Sequence, residues 1–182
     1  MKRKITAIAF MLLCVCSVAF AQDRDQSVYL EAMGPSNMLG VSYDARIKPG
    51  SKLGYRVGLG YSALDLLDVP EDQRFISVPL GLNYLAGNGS HRLEVGAGAC
   101  PGLYHRSYDV RKYNEAGEQI AKEKKSENLF GCIAYANVGY RYTAKNGLQL
   151  RCGISPILAF GNKHADKKIR AFYPYVSVGY AF

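Results

Sequence analysis

The sequence has no tryptophan, only three histidines and no Cys-x-x-C pair. Beyond about residue 20 it has no apolar run of the ~18 residues that a spanning helix needs. Each shortage excludes something. His91 and His164 fall in a predicted turn and a predicted loop with no partner at ligand spacing, so no metal site follows. Cys100, Cys132 and Cys152 are odd in number and give no disulfide framework. A turn near residues 145–147 sets Cys132 opposite roughly residue 159 rather than Cys152, and these cysteines read as small strand residues. The stretch "GAGACPG" (96–102) carries Pro101 where a dinucleotide fingerprint needs glycine, and no helix follows it. No cofactor is expected.

Glycine (19) and tyrosine (14) are abundant instead, a balance that suits sheets and turns. The first 21 residues have a basic start (Lys2, Arg3, Lys4), an apolar stretch from Ile5 to about Phe20, and small residues at Ala19 and Ala21. That is a cleaved secretory signal, leaving residues 22–182 as one domain. Neither Leu13 before Cys14 nor Val15 before Cys16 is the small residue that a lipidation site wants. Removing three of the 23 basic residues, against 15 acidic ones, leaves a net charge of +5. The charges are scattered and the chain is exported, so nucleic acid is not an expected partner. Anionic lipid headgroups or internal ion pairs fit them better.

Period-two alternation recurs eight times. The segments begin near Val28, Leu39, Leu53, Ile76, Arg92, Phe130, Leu148 and Phe172. In the fourth, Ile76, Val78, Leu80, Leu82 and Tyr84 alternate with Ser77, Pro79, Gly81 and Asn83. In the sixth, the set from Phe130 to Tyr142 alternates with Gly131, Ile133, Tyr135, Asn137, Gly139 and Arg141. One set of connections is tight: "KPGS" (48–51), "GNGS" (87–90) and "KNG" (145–147). The other set is mostly long, at 63–73, 107–128 and 161–168, with only "GPSN" (34–37) short. The charged stretch 109–127 lacks an apolar face and reads as a solvated loop or an extended hairpin. Short turns at one end and long loops at the other describe an eight-stranded antiparallel up-and-down transmembrane β-barrel.

A soluble lipocalin-like barrel has the same strand count but hides its apolar face. Three features favour the inverted arrangement. Glycine crowds the polar face, where a narrow interior needs small neighbours for large side chains. That face also carries balanced charge: Glu31, Asp44 and Glu94 against Arg46, Arg56, Arg92, Arg141 and Arg151, which a polar lumen would pair. On the apolar face Phe130 and Tyr140 lie ten residues apart, as do Phe172 and Phe182. Ten tilted residues climb roughly 25 Å, about the height of the apolar band between aromatic girdles.

The closing "YVSVGYAF" (175–182), the exported start, the eight alternating segments and the loop asymmetry together resemble the small outer-membrane β-barrel family of the OmpA/OmpX type over residues 26–182. The resemblance implies that Val176, Val178, Tyr180 and Phe182 form the terminal signal read by barrel-assembly machinery. It implies a bacterial outer-membrane location with both termini periplasmic, in contact with membrane lipids and lipopolysaccharide. An eight-stranded interior is just wide enough for side chains to fill, so no porin-like diffusion pore is expected. The expected function is non-enzymatic: a structural or surface-interaction role with the external loops as binding surface and an unidentified ligand. An alternative is a lipopolysaccharide-modifying barrel. Lipid A deacylase barrels use a His-x-Ser pair on the membrane side, and "LYHRSY" (103–108) supplies His105 and Ser107 on the lipid-facing parity, with Glu127 nearby but on the inward parity.

Deletion of Phe182 is predicted to lower the assembled, heat-modifiable fraction of the protein on gels while leaving total synthesis unchanged.

Overall fold

A computed structural model describes residues 24–62, 72–113, 119–160 and 169–182. The expected signal segment lies outside these. The strands are β1 (Gln26–Met33), β2 (Leu39–Arg46), β3 (Leu53–Ser62), β4 (Asp72–Ser77), β5 (Leu80–Ala86), β6 (His91–Tyr113), β7 (Gln119–Thr143), β8 (Leu148–Ile154), β9 (Ile157–Phe160), β10 (Ile169–Arg170) and β11 (Pro174–Ala181). All pairings between these strands are antiparallel, and one isolated bridge, Asn37 to Tyr61, is parallel. Starting at β1, they run through β2, β3, β5, β6, β7, β8 and β11, and β11 pairs back onto β1. The hydrogen-bonded ladder is therefore a closed ring of eight positions, with no free edge at the chain ends.

Three ring positions are broken in two, which the alternation did not anticipate. Proline has no N–H to give a ladder, and β4 stops before Val78-Pro79 while β8 stops before Ser155-Pro156. Single hydrogen bonds carry the pairing across the gaps: Val78 N–H to Pro101 O (2.9 Å), Gly58 N–H to Pro79 O (3.0 Å) and Ala136 N–H to Pro156 O (3.0 Å). Residue parity is kept through the first break, so Ser77, Pro79 and Asn83 all stay inside. The eighth position gains a short β10 ahead of the segment expected from Phe172, and in the gap before β11 Ser155 N–H donates to Tyr173 O (2.7 Å).

The fifth and sixth segments are longer than expected. β6 and β7 stay paired from His91↔Tyr142 up to Tyr113↔Gln119. Of the two readings of 109–127, the extended hairpin is the one observed. Its register sets Asp109 opposite Lys124 and Arg106 opposite Glu127. Cys132 faces Phe160 and Cys152 faces Tyr140, within one residue of the spacing argument, and all three described cysteines are free.

Inward glycines make room for inward tyrosines. A Cβ on Gly131 would lie 2.3 Å from the Tyr104 ring, and one on Gly81 would lie 2.2 Å from the Tyr135 hydroxyl oxygen. The Tyr104 ring in turn stacks on Phe75 with centroids 3.9 Å apart.

Gly131→Ala is predicted to destabilise the barrel by about 1–3 kcal/mol in detergent unfolding. The same change in a Tyr104→Ala background is predicted to cost markedly less, because the Tyr104 ring is what the new Cβ meets.

Candidate functional site

The interior is the best-defined assembly of polar groups among the described residues, and it is divided by height. Toward the tight-turn end the buried inward charges are Asp44 and Arg46 on β2, Glu94 on β6, Arg141 on β7 and Arg151 on β8. Arg141 reaches across the ring from β7 to β2. Its two terminal nitrogens donate to Asp44 at 3.0 and 3.2 Å, and its Nε donates to Glu94 at 2.8 Å. Arg46 bonds Asp44 at 2.5 Å and Asn83 Oδ1 at 2.6 Å, while the Asn83 amide donates to the other Asp44 oxygen. Arg151 approaches Asp44 at 3.7 Å and Glu94 at 3.6 Å and donates to Gln149 and Ser27. Nearly every lone pair of Asp44 is used, the condition under which a buried carboxylate is tolerated.

Midway up, Arg56 pairs with Glu31 at 3.1 Å and also donates to Ser42 at 3.1 Å. The Tyr29 ring lies between two guanidinium groups, with Arg151 3.8 Å and Arg56 5.5 Å from its centroid. Arg92, expected in the same network, stands apart from it. Its Nε donates to Gly89 O (3.0 Å) at the turn-end rim, and it forms no ion pair among the described residues. The reason is its position one residue into β6, next to the turn.

Near the loop end the interior becomes apolar, with Phe75, Cys100, Ile133, Tyr135, Ile157 and Tyr173 in one buried cluster. Between this cluster and the ion pairs sits the segment expected to be a short external loop. Residues 34–37 turn inward as a single 3-10 turn, and all four are buried. Ser36 N–H donates to Glu31 (3.0 Å), Asn37 Nδ2 to Ser77 (3.0 Å), Cys100 Sγ to Pro35 O (3.1 Å) and Tyr173 OH to Asn37 O (2.9 Å). The segment is an internal plug. Met33, with φ 64° and ψ −155°, holds the backbone reversal into it, a conformation that costs a non-glycine residue about 1–3 kcal/mol and persists only where the surroundings enforce it.

The outer surface is aliphatic around its middle. At the turn end it carries outward Tyr43, Tyr55, Tyr84, Tyr140, Tyr142 and Tyr180, with His91 against Tyr140 and Tyr142. Val176, Val178 and Tyr180 pair with Ala32, Leu30 and Val28 at the seam of the ring, and Phe182 exchanges backbone hydrogen bonds with Gln26 (2.9 and 3.2 Å). His105 and Ser107 lie on the outer parity beside β4, opposite Arg74 and Asp72. The His105 ring bonds the Asn128 amide oxygen at 2.7 Å, so an amide stands where a triad has its orienting carboxylate. Among the described residues Ser107 makes no hydrogen bond to that ring.

No protein-family model matches the chain, and no curated protein is similar to it. Among solved structures it is similar to the crystal structure of the N-terminal β-barrel domain of Pseudomonas aeruginosa OprF. The two share 14% identity and a TM-score of 0.47 over 87% of this chain and 96% of that one.

Asp44→Ala strands several buried guanidinium groups and is predicted to cost about 3–5 kcal/mol of unfolding free energy in micelles. Arg92→Gln is predicted to cost less than about 1 kcal/mol in the same measurement.

Proposed function

We propose that this chain is an integral outer-membrane β-barrel with a structural or surface-interaction role and no catalytic activity. The observation that carries the proposal is inverted burial. Leu30, Leu59 and Leu103 are 63%, 60% and 62% exposed, whereas Glu31, Asp44 and Glu94 are 2%, 1% and 2% exposed. Water penalises that arrangement and a bilayer favours it, since every backbone group of a closed ring is paired and the outward side chains are apolar. A soluble ligand-binding barrel has the opposite requirement. The tyrosine belt at the turn end fits one membrane interface, where an aromatic ring with a polar tip is stable. The expected signal segment and the terminal Val176, Val178, Tyr180 and Phe182 pattern support export and handling by barrel-assembly machinery. The tight-turn end, which holds both described termini, then faces the periplasm, and the long β6–β7 hairpin projects outward.

The plug and the cross-lumen ion pairs fill the interior, so the proposed role is not bulk diffusion. The β6–β7 hairpin and the long connections at that end are the proposed surface for an external partner. The deacylase-like alternative gains no support at His105, which is oriented by Asn128.

Fractionation and protease treatment of intact cells test the reading. The protein is predicted in the outer-membrane fraction, with heat-modifiable mobility and cleavage between Tyr108 and Asn128. Recovery in the soluble periplasmic fraction, or protection of that segment in intact cells, would contradict it.

A further inference from the structure

The turn-end mouth of the barrel has more positive charge than its own carboxylates can match. Inside it, Arg46, Arg141 and Arg151 are all buried against Asp44 and Glu94, three guanidinium groups on two carboxylates. The register sharpens the imbalance: Arg92 faces Arg141 across β6 and β7, and Arg141 faces Arg151 across β7 and β8. Like charges directly opposite one another on a ladder destabilise it. The Asp44 oxygens already accept from Arg46, Arg141 and Asn83, so they have little left to offer. The rim adds Arg24, Arg92 and Lys145 against Asp25 alone, and Asp25 already accepts from Gly50 N–H at 2.8 Å. The terminal nitrogens of Arg92 have no protein acceptor among the described residues.

A cavity of about 460 Å³ opens here, lined by the buried Arg46, Arg141 and Asp44 and by Arg24, Asp25, Arg92 and Lys145 of the rim. A second hollow of about 280 Å³ shares Arg24, Asp25 and Arg92 with it and adds Lys52. The larger is within the size range of small-molecule sites. Guanidinium groups present planar forks that match carboxylate and phosphate oxygens. We infer that the turn-end mouth binds a small multivalent oxyanion, bearing carboxylates or phosphates, held mainly by Arg92 and Lys145 over the buried arginine row. The inference goes beyond the membrane reading and does not depend on it.

Calorimetric titration of the full chain in detergent micelles, at constant ionic strength, tests this with inorganic pyrophosphate and with tricarballylate. Saturable binding of either supports the site, and the stronger of the two identifies its chemical class. Acetate is expected to bind at least about tenfold more weakly than that probe. The variant carrying Arg92→Gln and Lys145→Gln is expected to weaken the binding at least about tenfold with unchanged heat-modifiable mobility. A variant carrying Lys124→Gln and Lys125→Gln, at the opposite end, is expected to bind as the parent does. No saturable binding of either polyanion, acetate binding equal to theirs, or equal loss in the two variants overturns the inference.

Discussion

Asp44 and Arg141 join β2 to β7, four positions apart in a ring of eight, and so span the barrel at its full width. Much of the lower interior depends on this strut. Arg46, Asn83 and Arg151 all converge on Asp44, while Glu94 secures the remaining face of Arg141. Each member is buried, so each is tolerable only because the others are present. A ring that turns its charges inward has to turn its aliphatic side chains outward, because the period of a strand leaves no third direction. The outer apolar band is thus the geometric complement of the ion-pair network.

Above the strut the interior changes character. Glu31 is shared between Arg56 and the backbone of Ser36, which ties the middle layer to the plug. Pro35 and Asn37 connect the plug upward to Cys100 and Tyr173, at the edge of the apolar cluster. Charge, plug and apolar cluster succeed one another from the turn end to the loop end. A filled interior leaves the two ends as the places where the protein can meet other molecules. They differ in chemistry: a hairpin of mixed charge at one, a cationic bowl at the other.

Alternation with period two made the ring, the inward charges and the loop asymmetry legible from sequence, since side-chain direction in a strand is a local property. Height and diametric partnership are not local. Nothing near Asp44 announces Arg141, 97 residues away. The stretch 34–37 has turn chemistry whether it points out to solvent or into the lumen, and only Glu31, Cys100 and Tyr173 decide that it points in. Pro79 and Pro156 were visible, but parity runs through the first break unchanged, which hid the interruption of the ladder. Arg92 has the parity of a lumen residue yet sits at the rim, because parity gives a face and not a depth. Asn128 as the partner of His105 follows from the β6–β7 register, which a mixed-charge stretch leaves open.

The central claim is that the aliphatic face meets lipid. Collision accessibility of a nitroxide label at position 59, with Cys100, Cys132 and Cys152 replaced by alanine and the protein in bilayers, tests it most directly. A label at position 88 in the turn serves as the aqueous reference. The account predicts that the label at 59 is relaxed strongly by oxygen and weakly by a water-soluble nickel chelate, with the reverse at 88. Equal nickel accessibility at the two positions would contradict it.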